Sequence, residues 1–405
     1  MKGKFMSTIK LYDTNPYDIY FTAKIVSIVP SDTADCQYEL FLDKTLFFPE
    51  AGGQSCDKGT ITIDNITTVV KKVLIDKENN ITHIISTNIP LETDNLSGNS
   101  IQGKIDWKHR FSNMQQHSGE HIFSGMVKRK YGFENVGFHL SDNNVTMDYN
   151  GYLTPLQVAE IESEVNNVIV NNVSIICSYP SADELKNIDY RCKTELTGDI
   201  RIVEIEGTDI CACCCPHVRK TGEIGLFKVI SSIRYKGGTR LSILCGFRAL
   251  EYFNTLYGQM NELRSLLSSE QSEVVNTVIL LKNEKDELKA KLKDVIKSIL
   301  TKEIDSLKKD SPALIFTDDI DAKSQREVLS YLISKRNNYC GILAGNDKKG
   351  YSYLIGSNSL DSSLIQTKLR EKFGAKGGGR QEMIQGFAKA SKNEIEALLN
   401  TFPFN

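Results

Sequence analysis

With 405 residues, 40% of them hydrophobic and 25% charged, the chain has the composition of a globular protein of two to four domains, not of a disordered or fibrous one. No run approaches the ~18 apolar residues that span a bilayer, and the opening MKGKFMSTIKLYDTNPYDIYF has no signal-type apolar stretch, so a cytoplasmic location without a membrane partner is expected. A formal net charge of −2 excludes a chain that attracts nucleic acid as a whole, and leaves room only for a local basic surface.

Residues 8–100 carry short alternating or β-branched runs, DIYFTAKIVSIV, YELFLDKTLFF, GTITIDNITTVVKKVLID and ITHIIST, separated by Gly, Asn and Asp. They predict a small N-terminal β-barrel domain over 1–100. A helix follows, with Ser112 and Gln115 as a capping box, Met114, Ser118, His121, Ile122 and Gly125 on one face, and Gly132 as its stop. A second helix is predicted from Pro155 to about Asn171, and strands return at DIRIVEIEG, GLFKVISSIRY and TRLSILCG, which makes 101–250 an α/β domain. Over 251–310, Leu256, Leu263, Leu267, Val274, Val278, Leu281, Leu288, Leu292, Val295 and Ile299 recur at coiled-coil spacing, a pattern that a packed helical hairpin fits equally. After Pro312, residues 311–405 alternate strands and helices and end in the glycine-rich GAKGGGR, expected to be a loop at the working end of a C-terminal α/β domain. The expected fold class is therefore multidomain α+β.

The chemistry concentrates in two stretches. In QQHSGEHIFSG, His117 and His121 lie four apart on a helix and can reach one cation; in CCCPH, Cys213 and His217 repeat that spacing across a turn made by Pro216. Three imidazoles and a thiolate suit Zn²⁺ better than Mg²⁺ or Ca²⁺. Of the ten cysteines, Cys211, Cys213, Cys214 and Cys215 crowd together as in a metal or thiol site, whereas the other six, Cys36 and Cys340 among them, read as buried small hydrophobes. His117-Ser-Gly-Glu120-His121 also matches the HxxEH string of inverted zincin peptidases, in which Glu120 would be the general base. That alternative demands a further carboxylate ligand and leaves Cys213 and His217 idle. No base stands out; Gln116 and His139 are candidates, each with a structural role as the plainer reading. In EAGGQ, Gly52 and Gly53 either form a barrel turn or let backbone approach an RNA end while the Gln54 amide bonds to it. In GAKGGGR, glycine N–H groups with Lys376 and Arg380 can meet phosphate. Seven basic residues between 211 and 250 against the single acid Glu223 form either a solvated strand face or a local nucleic-acid surface.

Taken in order, LFFPEAGGQSCDKGTI, HSGEH, CCCPHVRKTGEIG and GAKGGGRQEMIQGF resemble the editing and C-terminal regions of alanyl-tRNA synthetases. Nearly the whole chain is covered and no segment resembles the aminoacylation domain, so the chain resembles a free-standing alanyl-tRNA editing protein of the long type. Threonyl-tRNA synthetase editing domains share the HxxxH and CxxxH pairs but not the GGQ-bearing barrel or the glycine-rich tail. The resemblance implies that His117, His121, Cys213 and His217 bind zinc in a site that hydrolyses the ester joining serine or glycine to alanine tRNA. Family members commonly carry small residues and threonine where this chain has Cys214, Cys215 and Pro216, so Cys214, Cys215 and Cys211 compete as thiol donors; Cys213 keeps the four-residue spacing to His217. Four protein ligands usually close a zinc site, so water or substrate must enter as a fifth ligand, or the metal only positions the amino acid. The same tail occurs on DHH-type phosphoesterases, but no DHH string is present, which argues against a nuclease. The rival class is a tRNA-binding module with structural zinc. The helical segment or the C-terminal domain can also join two chains as a homodimer.

Overall fold

The computed structural model describes residues 7–31, 37–142, 144–192, 199–306, 312–318 and 320–401, which form two compact units, Met1–Gln259 and Met260–Asn405. In the first unit six strands, β1 (Tyr20–Pro30), β2 (Gln37–Leu42), β3 (Gly59–Ile63), β4 (Ile66–Ile75), β5 (Ile81–Ser86) and β6 (Ser100–Ile105), close into a barrel in the order β1-β2-β5-β4-β3-β6. Alternation drives it: in β2 the buried residues are Tyr38, Leu40 and Leu42, and their intervening neighbours are only half-buried. Leu40, Ile61, Val73 and Ile85 fill the interior with no measurable exposure. The β3–β4 hairpin turns on Asp64 and Asn65, both at positive φ (45° and 69°), as a two-residue primed turn requires.

Helix α1 (Trp107–Tyr131) is anchored to the barrel by Arg110, a fully buried cation whose Nε donates to Asp57 Oδ1 at 2.9 Å while Nη1 donates to the Pro16 carbonyl. Its cap is Asp106, which accepts from the His109 N–H, and not Ser112. Ser112 lies a turn and a half inside the helix and accepts from Arg248 instead, so the expected capping box is a correction: an earlier Asx cap outcompetes it. The C-terminus is as read, with Gly132 left-handed at φ 72° and Lys128, Arg129 and Lys130 in the last turn, where the helix dipole favours cations.

Strands β7 (Asn135–Leu140) and β8 (Val145–Tyr149), helix α2 (Pro155–Asn171), and strands β9 (Ile175–Ser178), β10 (Ile202–Ile205), β11 (Asp209–Ala212), β12 (Phe227–Tyr235) and β13 (Gly238–Cys245) follow, with a few shorter elements beside them. An antiparallel sheet β12-β13-β8-β7 shares one core with α1 and α2, through Ile122, Phe123, Val127, Met147, Ile161, Val165, Phe227 and Leu241. A small sheet, β9-β10-β11, stands beside it. The centre of α1 is buried yet polar: Asn113, Gln116, His117, Ser118, Glu120, His121 and Ser124 are all inside. Burying such groups is costly unless each is bonded, so this stretch marks a site and not an ordinary core helix.

Helix α3 (Gly246–Leu267) spans the boundary between the units, and a turn at Ser268 (φ 48°) separates it from α4 (Val274–Ser306). The second unit adds β14 (Ala313–Thr317), α5 (Ala322–Ser334), β15 (Cys340–Asn346), β16 (Gly350–Gly356), α6 (Ser363–Phe373), β17 (Lys376–Arg380), β18 (Met383–Ala388) and α7 (Lys392–Leu399). Its sheet, β14-β15-β16-β18-β17, is parallel only between β14 and β15. It carries one core with α6 and α7 and another with α5 and the end of α4. KGGGR is strand β17 at the sheet edge, where a loop was expected. The glycines permit that pairing, because a Cβ at Gly377 or Gly379 would come within 2.2 Å of a β18 carbonyl oxygen. Cys245 and Cys340 are buried as read, whereas Cys177 and Cys192 are exposed; Cys36 lies outside the described residues. Among the described residues no helix is long and apolar enough to cross a membrane.

Candidate metal centre

His117 and His121 face the turn that follows β11, and there they meet Cys213 and His217: one ligand atom from each of the four lies within 4.8 Å of the others. His117 Nε2 is 3.4 Å from Cys213 Sγ, and the rings of His121 and His217 stand 4.6 Å apart, nearly perpendicular. All three histidines are at most 3% exposed.

Each imidazole is held from behind by its Nδ1. His117 Nδ1 bonds to Gln54 Oε1 (2.9 Å), His121 Nδ1 to Asp209 Oδ2 (3.1 Å) and His217 Nδ1 to Ser118 Oγ (3.0 Å). A carboxylate and an amide carbonyl only accept, so the rings of His117 and His121 donate from Nδ1 and turn the Nε2 lone pair inward. His217 Nε2 is buried with no hydrogen-bond partner among the described residues. A buried orphan nitrogen beside a thiol and two inward-facing imidazoles is the arrangement a tetrahedral Zn²⁺ takes up, so these residues fit that ion.

The electrostatics of the metal-free site are mixed. Hydrogen bonding from Cys215 holds the Cys213 thiol well below its ordinary value, against the opposing effect of burial, and His117 adds to the lowering. Burial drives His217 down to about 3, so it is neutral. Burial also pulls on His121, but the Asp209 hydrogen bond and Cys213 outweigh it and raise that ring to about 9. Of the neighbouring thiols, Cys214 is exposed, and Cys215 packs into the barrel core with its own pKa raised by burial. Cys211 forms a second, overlapping trio with His121 and Asp209. Asp209 is committed elsewhere, however: Arg191 Nε and Nη2 donate to its two oxygens at 2.6 and 2.7 Å, so the trio is not a separate ion site.

Beside this cluster opens a cavity of about 360 Å³, lined among others by His117, His121, Cys213, Gly52, Asp13 and Tyr179. Tyr179 donates to Asp13 Oδ2 at 2.9 Å, and burial raises the Asp13 pKa. Arg201 fixes the ligand turn by donating to the Cys213 and Cys215 carbonyls. Neither Asp13 nor Arg201 carries a sequence signature.

The remaining sequence candidates fall in different places. Gly52 lines the cavity, and Gly53 lets the barrel loop dock on β7, where a Cβ would sit 2.3 Å from the Phe138 carbonyl oxygen. Gln54 is 1% exposed and stands behind His117. Gln116 pairs twice with the Cys245 backbone, and His139 is exposed on β7; neither lines the cavity. Glu120 has no measurable exposure; its Oε1 accepts from Ser124 and Asn135, and its Oε2 lies 3.8 Å from His121 Nε2. Lys376 and Arg380 are exposed at the two ends of β17, and Arg380 lines a groove of about 880 Å³ with Arg326 and four glycines.

The first unit thus combines a closed barrel with an α/β part that carries a His–Cys cluster of metal-ligand type. Residues 200–242 match the family described as threonyl and alanyl tRNA synthetase second additional domain, and residues 10–109 match tRNA synthetases class II (A). The alanyl-tRNA editing protein AlaX-L of Pyrococcus horikoshii is 27% identical over 402 residues, covering 95% of this chain and 96% of that one. Alanyl-tRNA editing protein Aarsd1 of Rattus norvegicus is 25% identical over 413 residues, 97% of each chain. An alanine–tRNA ligase of Methanobrevibacter smithii is 26% identical over 93% of this chain but only 44% of its own length. Along nearly its whole length the chain is similar to free-standing alanyl-tRNA editing proteins.

Proposed function

We propose that the chain is a trans-acting editing hydrolase that deacylates alanine tRNA carrying serine or glycine, with zinc held by His117, His121, Cys213 and His217. The observation that carries this is the orphaned Nε2 of His217, buried among three further ligands at the wall of a cavity, in a chain homologous end to end to editing proteins. When bound, zinc supplies Lewis acidity for the ester carbonyl or for water. The protein's own groups orient the substrate. Asp13, which lines the cavity together with Asp199, receives the α-ammonium, Tyr179 holds the Asp13 carboxylate, and the turn at Gly52 admits the tRNA terminus beside the ligands. The peptidase alternative is disfavoured by Glu120, whose carboxylate is enclosed by Ser124, Asn135 and His121.

Beyond the core, Lys376 and Arg380 on β17 contact the tRNA body. The exposed seam Val278, Leu281, Leu288, Leu292 and Val295 of α4 can join two chains. The test is a deacylation time course on seryl-, glycyl- and alanyl-tRNA with purified, metal-analysed protein. One zinc per chain and loss of only the mischarged amino acids is the expected result. Stable esters on all three would leave a tRNA-binding module with structural zinc, and full zinc retention in both His117→Ala and Cys213→Ala would remove the four-ligand site.

A further inference from the structure

We propose that Arg191, acting through Asp209, is a positioning residue for His121 and sets how tightly the centre holds its metal; this rests on the zinc site proposed above. Of the three Nδ1 partners, only Asp209 is charged, since Gln54 and Ser118 are neutral. A carboxylate behind a ligand imidazole fixes its tautomer and raises its strength as a donor. Asp209 can do so only if its own orientation is fixed and its charge is compensated, because its side chain is 2% exposed. Arg191 provides both. Its planar fork meets both oxygens at 2.6 and 2.7 Å, while Oδ2 also accepts from His121.

Two further features belong to the same device. Arg191 is tied down by its backbone, with its N–H on the Ile210 carbonyl and its own carbonyl accepting from Ala212, so its side chain can be altered without breaking the bridge that places it. Gly125, one helical turn past His121, makes the room: a Cβ there would lie 2.7 Å from Asp209 Cβ and 2.9 Å from Oδ1. Without that gap the carboxylate could not reach over α1 to the ring. Neither residue lies at a ligand position, and Arg191 stands about twenty residues before the cysteine turn it serves.

The experiment measures zinc affinity of the full chain by chelator competition, together with the Co²⁺ ligand-field spectrum and the melting temperature of the metal-free protein. Arg191→Met is expected to weaken zinc binding about 10- to 100-fold and to shift the Co²⁺ bands, a loss larger than the fall in metal-free stability from the less compensated Asp209 charge accounts for. Arg191→Lys restores a cation but not the two-pronged grip, and is expected to recover part of the affinity. Wild-type zinc affinity in Arg191→Met overturns the proposal. So does a loss that lysine does not relieve, or one that merely follows a fall in metal-free stability. Deacylation is assayed separately. A chain that binds zinc in this Arg191-dependent way yet cleaves no ester keeps the positioning role and loses the editing reading, and a wild-type chain that takes up no zinc loses the positioning role.

Discussion

Gly119 sits between the two histidines of α1, and an alanine there tests whether the site depends on how closely that helix approaches the sheet. Its Cβ would lie 2.5 Å from Cys245 Sγ and 3.1 Å from Phe227 Cδ2. Both neighbours are buried, and Phe227 is stacked on Phe123 at 5.3 Å, so neither can swing aside. Restoring an ordinary separation of about 3.5 Å requires α1 and the sheet to part by about 1 Å. Such overpacking costs about 1–3 kcal/mol, against which alanine in a helix interior gains about 1 kcal/mol over glycine. Gly258 in α3 is the control, because nothing lies within 4 Å of its added Cβ. Gly258→Ala collects the helix gain alone, so Gly119→Ala should be less stable than Gly258→Ala by about 1–3 kcal/mol in urea unfolding. The same displacement moves His117 and His121 together, and deacylation should fall about 10²-fold. A Gly119→Ala protein as stable as Gly258→Ala, or one with unimpaired hydrolysis, would refute the reasoning.

Glu120→Gln keeps the shape of a side chain enclosed by Ser124 and Asn135 and should preserve most deacylation; a fall of about 10²-fold with zinc intact would instead make Glu120 a general base. Replacing both Lys376 and Arg380 by alanine should weaken tRNA binding and reduce the slope of log affinity against log salt by about 1 for each phosphate no longer neutralised, whereas an unchanged slope would remove β17 from the tRNA interface. His83, buried in the barrel between Thr45 and the Leu40 carbonyl, has its pKa pushed down by burial to about 4. The unfolded chain takes up that proton near the ordinary value of about 6.5, so stability present above that pH is lost as pH falls through about 4, by about 3 kcal/mol in all. His83→Gln should flatten the stability curve in that window, and an unchanged acid slope would assign the titration elsewhere.

What can be read from the sequence follows from the range of the forces involved. Strand alternation, the Pro155 helix start and the Gly132 stop are local, and each recurs in the structure at the position its residues indicate. The histidine pair and the Cys213–His217 turn can be paired on spacing and donor type alone, and the fold brings them within 4.8 Å. The supports behind them are not legible. Gln54 reaches His117 from the barrel across 63 positions, and Asp209 reaches His121 across 88, so nothing in a window of sequence announces either. The EAGGQ run reads equally as a barrel turn or as an approach to an RNA end; the close approach of Gly53 to Phe138 is revealed only by tertiary packing. The glycine-rich tail misleads in the opposite sense: glycine run and loop look alike until the neighbouring strand is known.

The positions of the ligands also bear on how the chain holds itself together. His117 and Cys213 lie 96 positions apart, with strands β7 to β11 and helix α2 between them. Any ion bound to both is a cross-link that closes a loop of that length, and on chain-entropy grounds a closure of this size restricts the unfolded ensemble by about 4–5 kcal/mol, as a long-range disulfide does. The metal would then act as a removable bolt: stripping it with a chelator would unfasten the middle of the first unit as well as silence the site, and the melting transition would report occupancy directly.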